Sequence, residues 1–413
     1  MSVFQAADIF LPPESSLPDW AVIACDQFTS QPEYWQQVRQ RVADRPSAYH
    51  IIFPEAELGG DDAGRIAAID ATMDTYRRSD LFRRFPQSYV YIERTLLDGS
   101  IRRGVLGAVD LETYDFHADA ISPIRATEQT VVERIPPRVK IRAGASLELS
   151  HVLLLCDDAQ QRLLETLEAR KAELEKLYDF DLMQGGGHIA GWLCTDEASA
   201  AFDTALACYE REMTARYTAL GKAPLLYAVG DGNHSLATAK TCWEALKAQD
   251  PALAGSDHPA RYAMVELENI HDAAQKFEPI HRIVRGINVD DFLAAAEELC
   301  APKGYEVRWF AGERQGVLRL DPARGELAIA ILQPFLDAYL KTHGGSIDYI
   351  HGDDVVRALA QESASVGLLL PGIAKGDFFR GIALDGVLPR KTFSMGHARE
   401  KRYYLECRAI RAE

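Results

Sequence analysis

From Tyr89 to Arg94 and again from Ile101 to Val109 apolar and polar residues alternate, with Asp98 and Gly99 between them. A period of two broken by a turn signal predicts an antiparallel hairpin. The period then changes. Leu163, Leu167, Leu174 and Leu177 fall near helical spacing within 159–178, and Asp196 to Leu220 reads as a long helix ended by Gly221. After Pro224 comes a short apolar run, Leu225 to Val229, then the small and polar residues Gly230-Asp231-Gly232-Asn233-His234. From Ser235 onward Leu236, Ala239, Trp243 and Leu246 share one helical face, so the segment predicts strand, tight turn and helix. YAMVELENI, beginning at Tyr262, predicts a further strand. From Val289 helical and strand patterns alternate up to a basic end. The expected fold class is α+β or mixed α/β, with antiparallel-rich sheets and helices in two domains. The first, 1–222, is an α+β domain holding the hairpin and the long helices. The second, 223–413, is an α/β domain carrying the Asp231 turn and the basic end.

Composition narrows the function more than the fold. Of 413 residues, 47% are hydrophobic and 26% charged, which excludes wholesale disorder. The 45 basic and 61 acidic residues sum to -16, a charge that opposes binding to nucleic acid and to anionic membrane. No apolar run approaches the roughly 18 residues of a membrane span, and the start of the sequence lacks the charged and apolar regions of a signal peptide. The seven cysteines form no CxxC motif and read as reduced thiols. The expected protein is cytoplasmic, with a small-molecule substrate and neither nucleic acid nor membrane as partner.

The turn AVGDGNHSLATAK is the strongest candidate site. Gly230 and Gly232 let the backbone approach a ligand, and the helix starting near Ser235 points N–H groups outward, which suits an anion. Asp231 is a candidate magnesium ligand, and His234 a phosphate donor or an acid/base. The alternative is that Asp231 or Asn233 caps the helix and His234 packs. QGGGHIAGW, Gln184 to Trp192, reads as a mobile loop or cover with His188 in it, because no βαβ unit surrounds its glycines. His281 and Arg282, after Pro279, form a cationic pair that suits a phosphate or carboxylate, or else a surface ion pair. Between Pro389 and Arg408 six basic residues stand against Glu400 and Glu406, a docking point for a polyanion such as a nucleotide, or a solvated face.

Taken in order, these segments resemble the family known as domain of unknown function 1015. Its DGHHR box is similar to Asp231-Gly232-Asn233-His234-Ser235, its PTHR segment to Pro279-Ile280-His281-Arg282, and its MPxKST segment to Leu388-Pro389-Arg390-Lys391-Thr392. An early PYD is echoed by Ala24-Cys25-Asp26 and PHExT by Arg125-Ala126-Thr127-Glu128-Gln129-Thr130. The sequence departs at Asn233 and Ser235, where the family has His and Arg, and Lys240 or Lys391 is then the substitute cation. The box is also similar to that of the ParB and sulfiredoxin-like proteins, a group that includes free-serine kinases. The resemblance therefore implies a nucleotide-dependent phosphotransferase acting on a small hydroxyl metabolite, with free serine first and ATP or ADP with Mg²⁺ as cofactors. Asp231 holds the metal, Glu128 or His234 accepts the hydroxyl proton, and His281, Arg282 and Lys391 neutralise the phosphoryl group. The alternatives are a metal-dependent phosphate-ester hydrolase using the same groups on water, and a non-catalytic nucleotide- or metabolite-binding regulator.

Overall fold

The alternating segments at Val90–Thr95 and Ile101–Asp110 pair antiparallel, as their period requires, and become the middle of a ten-stranded sheet. The computed structural model, which describes residues 2–412, places that sheet in the first of two compact units: the chain up to Ala126, Thr130–Gln275, and the chain from His397 on. Across the sheet the order is Glu175–Asp181, His188–Leu193, Val90–Thr95, Ile101–Asp110, Tyr262–Asn269, Leu153–Cys156, Tyr227–Asp231, Ile124–Ala126 and Tyr114–Asp115, with Phe4–Gln5 added against Ile101–Asp110. Most neighbours run antiparallel. Leu153–Cys156 runs parallel to Tyr262–Asn269, and Ile124–Ala126 runs parallel to both Tyr227–Asp231 and Tyr114–Asp115. The long helix spans Asp196–Ala219, with Thr195 capping it by accepting from the Ala198 N–H and Phe202, Leu206, Tyr209 and Met213 buried along one face.

The second unit comprises Thr127–Gln129 and Lys276–Gly396. Its five-stranded antiparallel sheet has the order Arg314–Leu320, Cys300–Ala311, Ser365–Leu369, His281–Arg285 and Ser346–Ile350. Ile283, Phe310 and Leu369 pack on it against Val356 and Ala360. A short antiparallel pair, Phe277–Pro279 with Phe393–Met395, completes the unit. The fold is thus mixed α and β with mostly antiparallel sheets. No helix among the described residues is long and apolar enough to cross a membrane.

Three expectations change. Residues 159–178 are not one helix: a short helix, Leu164–Glu168, and a 3-10 turn, Lys171–Glu173, lead into the strand Glu175–Asp181. Leucines three to four apart bury equally well in such a broken segment, and the pairing of Glu175–Asp181 with His188–Leu193 wins. Gln184 to Trp192 is no cover. Gly185–Gly187 form the turn of that hairpin, closed by Leu182 N–H to Gly187 O at 2.9 Å, and a Cβ on Gly186 would collide with the Tyr403 hydroxyl. The division of the chain does not fall at 222/223 either, because Tyr227–Asp231 and Tyr262–Asn269 are built into the first unit's sheet.

Candidate functional site

Asp231 ends a strand whose first three residues, Tyr227–Val229, are buried, and the chain turns there through Gly232 at φ +78°. The turn needs glycine twice over, since a Cβ would meet Val152 at 3.0 Å as well as strain the left-handed backbone. Gly232 is also the cap of the helix Asn233–Gln249, and no side chain caps it, so neither Asp231 nor Asn233 acts as the capping group. The first backbone bond of the helix is Leu236 N–H to Gly232 O, at 3.1 Å. The N–H groups of Asn233, His234 and Ser235 precede that bond and carry the positive end of a 17-residue helix. The Oδ1 of Asn233 is buried with no hydrogen-bond partner among the described residues.

Around the turn the charges are arranged by distant segments. Asp231 Oδ2 lies 3.1 Å from Lys401 Nζ, and its Oδ1 accepts from Gly232 N–H at 2.9 Å. Burial works to raise the Asp231 carboxyl, but Lys401 and the Gly232 N–H prevail and hold it below the usual carboxylate range. His234 is pushed down to about 4 by burial, with Arg138 and Arg134 adding to the shift against Asp26. Its Nε2 accepts the Val131 N–H at 3.2 Å, so the neutral ring carries its proton on Nδ1. His234 is therefore placed to donate a hydrogen bond and not to take a proton. Lys240, a candidate substitute for the missing arginine, is occupied by Leu111 O at 2.9 Å and Glu244 at 2.8 Å, and Lys401 stands beside Asp231 instead.

Sequence reasoning missed His151. It is buried, with Nε2 3.2 Å from Ser235 Oγ and Nδ1 2.7 Å from the Tyr404 hydroxyl, which in turn lies 3.1 Å from Cys25 Sγ. No local motif marks it, because strand pairing brings residues 25, 151, 235 and 404 together. Lys401 was visible only as one member of the basic end. Of that end, Arg402 is buried between Glu266 and Glu406, and Arg408 bonds Tyr262 O at 2.8 Å beside Glu148, whereas Arg390, Lys391 and Arg399 are exposed.

The other candidates belong to the second unit. Glu128 accepts the N–H groups of Thr392 at 3.0 Å and Lys391 at 3.2 Å, and burial raises its carboxyl against those bonds. Lys391 sits at φ +59° with its side chain exposed. Arg282 is fully buried and is pushed down to about 10 by that burial, against Tyr349 and Glu128. It donates to Gln333 Oε1 at 2.9 Å, Ile280 O at 2.7 Å and Lys391 O at 2.9 Å, while Nη2 has no partner among the described residues. His281 accepts the Leu370 N–H on Nδ1 at 3.2 Å and faces Asp353 with Nε2 at 3.0 Å. Both of its nitrogens are committed. His281 thus pairs with an acid at the surface, while Arg282 holds the Lys391 turn from inside. Among the described residues no cluster of three or more His, Cys, Asp or Glu side chains is arranged to hold a metal. Asp231 alone fits a magnesium ion only as an ion that phosphate groups already carry.

The sequence matches a family described as protein of unknown function (DUF1015) over residues 6–408. No curated protein matches it. Among solved structures, SbnI with C-terminal truncation from Staphylococcus aureus is similar at 11% identity and a TM-score of 0.35, over 70% of this chain and 83% of that one. A conserved hypothetical protein from Pyrococcus furiosus is similar at 11% identity and a TM-score of 0.35, over 72% and 93%. A free serine kinase in complex with AMP is similar at 10% identity and a TM-score of 0.37, over 72% and 90%.

Proposed function

The chain belongs to the DUF1015 family of proteins of unknown function, and from that premise we propose, on its own geometry, a nucleotide-dependent phosphotransferase acting on a small hydroxyl-bearing metabolite, with free serine as the first candidate. The observation that carries this reading is the Asp231 turn: an ionised carboxylate and the Lys401 ammonium stand beside Gly232 and an uncapped helix N-terminus. Backbone N–H groups and a helix dipole there favour phosphate. In this reading Gly230 and Gly232 let the phosphates approach, and the N–H groups of Asn233, His234 and Ser235 bind them. Nδ1–H of His234 donates to a phosphate oxygen, and Lys401 offsets its charge. Asp231 meets the magnesium ion that ATP or ADP brings, and that ion supplies charge neutralisation on the phosphates. Glu128, put forward by the resemblance as proton acceptor, has its carboxylate on two backbone N–H groups, which suits it to fixing the Lys391–Thr392 turn.

Calorimetric titration with ATP and ADP, each with and without Mg²⁺, tests the reading. Asp231→Asn is expected to lower affinity for the magnesium nucleotide at least tenfold and to abolish acceptor-dependent ADP release, with a modest loss of stability from the broken Lys401 pair. If the variant loses some stability but binds nucleotide as before, the assignment fails. One observation favours a second reading, a non-catalytic nucleotide-binding regulator: the lone pair of His234 is already occupied by Val131 N–H. Thermal shifts with nucleotide but no ADP release with any hydroxy compound would select it.

A further inference from the structure

Beside Ser235 the first unit holds a partly open cavity of about 150 Å³. Its wall is mostly apolar, including Ile51, Phe53, Leu147, Leu236 and Met264, all buried. Three polar side chains meet at one end: His151, Ser235 and Tyr404. The charged groups that reach the lining are committed within the protein, Arg138 to Glu55 and Arg142 to Glu148. The cavity therefore offers a hydrogen-bonding end and an apolar body, with no unpaired charge to receive an ammonium or a carboxylate.

The hydrogen bonds at the polar end fix what that end can do. With the Tyr404 hydroxyl donating to Cys25 Sγ, Nδ1–H of His151 donates to Tyr404, and Nε2 is left as an acceptor facing Ser235 Oγ at 3.2 Å. The imidazole is held by Tyr404 on one side and meets the Ser235 hydroxyl on the other, so an alcohol entering the cavity reaches Nε2 by displacing that hydroxyl. That arrangement is what a general base requires: reach to a hydroxyl, and a third group fixing its orientation.

We infer that this cavity is the acceptor pocket of the proposed phosphotransferase, that it takes a small and largely apolar alcohol of roughly six to eight heavy atoms, and that His151 accepts the alcohol's proton. The size follows from the volume, since an apolar cavity of about 150 Å³ holds a molecule such as benzene. In the step, the alcohol oxygen bonds to the γ-phosphorus of a nucleoside triphosphate. The bond from that phosphorus to the β,γ-bridging oxygen breaks, nucleoside diphosphate leaves, and the alcohol proton passes to His151 Nε2. The inference rests on the phosphotransferase reading for its chemistry and replaces free serine as the first acceptor, because free serine carries two charges that the cavity does not pair.

The test uses the full-length protein with 3-methyl-1-butanol and benzyl alcohol as probes and free serine as the comparison. Binding is read by saturation-transfer NMR without nucleotide, and phosphoryl transfer by alcohol-dependent ADP release. Both alcohols are expected to bind at least tenfold more tightly than serine. Ala239→Leu, which fills the cavity, is expected to abolish that binding while magnesium nucleotide affinity stays within twofold. Ser235→Ala, which removes the hydroxyl already on His151, is expected to keep or strengthen it and covers the case in which the filled variant does not fold. His151→Gln is expected to lower kcat for ADP release at least a hundredfold with the KM for ATP unchanged. Serine binding as tightly as the alcohols, or alcohol binding that survives a folded Ala239→Leu variant, overturns the pocket. Alcohol binding with no nucleotide affinity anywhere would leave the pocket standing and remove the phosphotransferase reading.

Discussion

His234 and Glu268 show how single residues set the response to pH, and they pull in opposite directions. His234 falls from an ordinary value of 6.5 to about 4 in the folded chain, chiefly through burial. Between those values the unfolded chain binds a proton that the folded chain refuses, so stability is complete above about pH 6.5 and is lost as the pH drops towards 4. Asp231, also held low, adds to the loss at more acid pH. Glu268 is fully buried, and burial raises its carboxyl well above the usual range, against Arg102 at 2.8 Å and with Glu266 adding to the rise. A raised carboxyl keeps its proton in the folded state after the unfolded state has released it, so its contribution shrinks as the pH rises above the usual carboxylate range. Melting temperatures measured from pH 4 to 8 test both signs. His234→Gln should flatten the acid limb, and Glu268→Gln should flatten the decline on the alkaline side. An unchanged acid limb in His234→Gln would mean that the histidine is not held neutral.

At the scale of elements, Gly186 separates a moving cover from a packed turn. Gly186 N–H bonds Met183 O at 3.1 Å, and the space beside its α-carbon is filled by Tyr403. Gly186→Ala should therefore lower the melting temperature by several degrees while the remaining folded protein keeps its nucleotide affinity and turnover. A variant of wild-type stability with slowed turnover would restore the cover. The glycine run misleads because three glycines signal freedom in isolation, while here two of them supply positive φ and the middle one makes room for a tyrosine more than two hundred residues away. Elements written in one local period were legible: the hairpin at 90–110, the helix Asp196–Ala219, and the strand, turn and helix around Asp231. The segment 159–178 was not, because strand pairing overrode its leucine spacing. Within the site, the turn was legible and its partners were not. His151 and Lys401 reach it through tertiary pairing, and Arg282 gave no sign in sequence that it would be wholly buried.

The whole molecule is organised by a chain that leaves the first unit and comes back, which no local pattern announces. Residues from His397 on return to the first unit after the second is complete. There Cys407–Ala409 pairs with Leu147–Leu149 and Tyr403–Tyr404 with Val22–Ile23. Just before them Arg402 lies buried against Glu266 and Glu406, donates to Ser150 O at 3.0 Å, and shares Glu406 with the Tyr178 hydroxyl at 2.5 Å. Its neighbour Lys401 faces Asp231, and Tyr404 holds His151, so the same short stretch completes the core and places two groups at the site. Removing one partner of a buried ion network strands the others, at a cost of about 3–5 kcal/mol. Arg402→Leu is accordingly expected to lower stability by that amount, read as a shifted urea midpoint with an unchanged slope, and to weaken magnesium nucleotide binding as Lys401 loses its anchor. Arg402→Leu combined with Glu266→Gln and Glu406→Gln removes the stranded charges and should recover part of the stability, because residues in one network do not act additively. Lys401→Met, which strands only the partly exposed Asp231, should cost less stability than Arg402→Leu and reproduce the loss of nucleotide affinity. If Arg402→Leu shifted the midpoint no more than an ordinary surface change, about 0.5 kcal/mol, the returning segment would be an appendage to the first unit and not a part of its core.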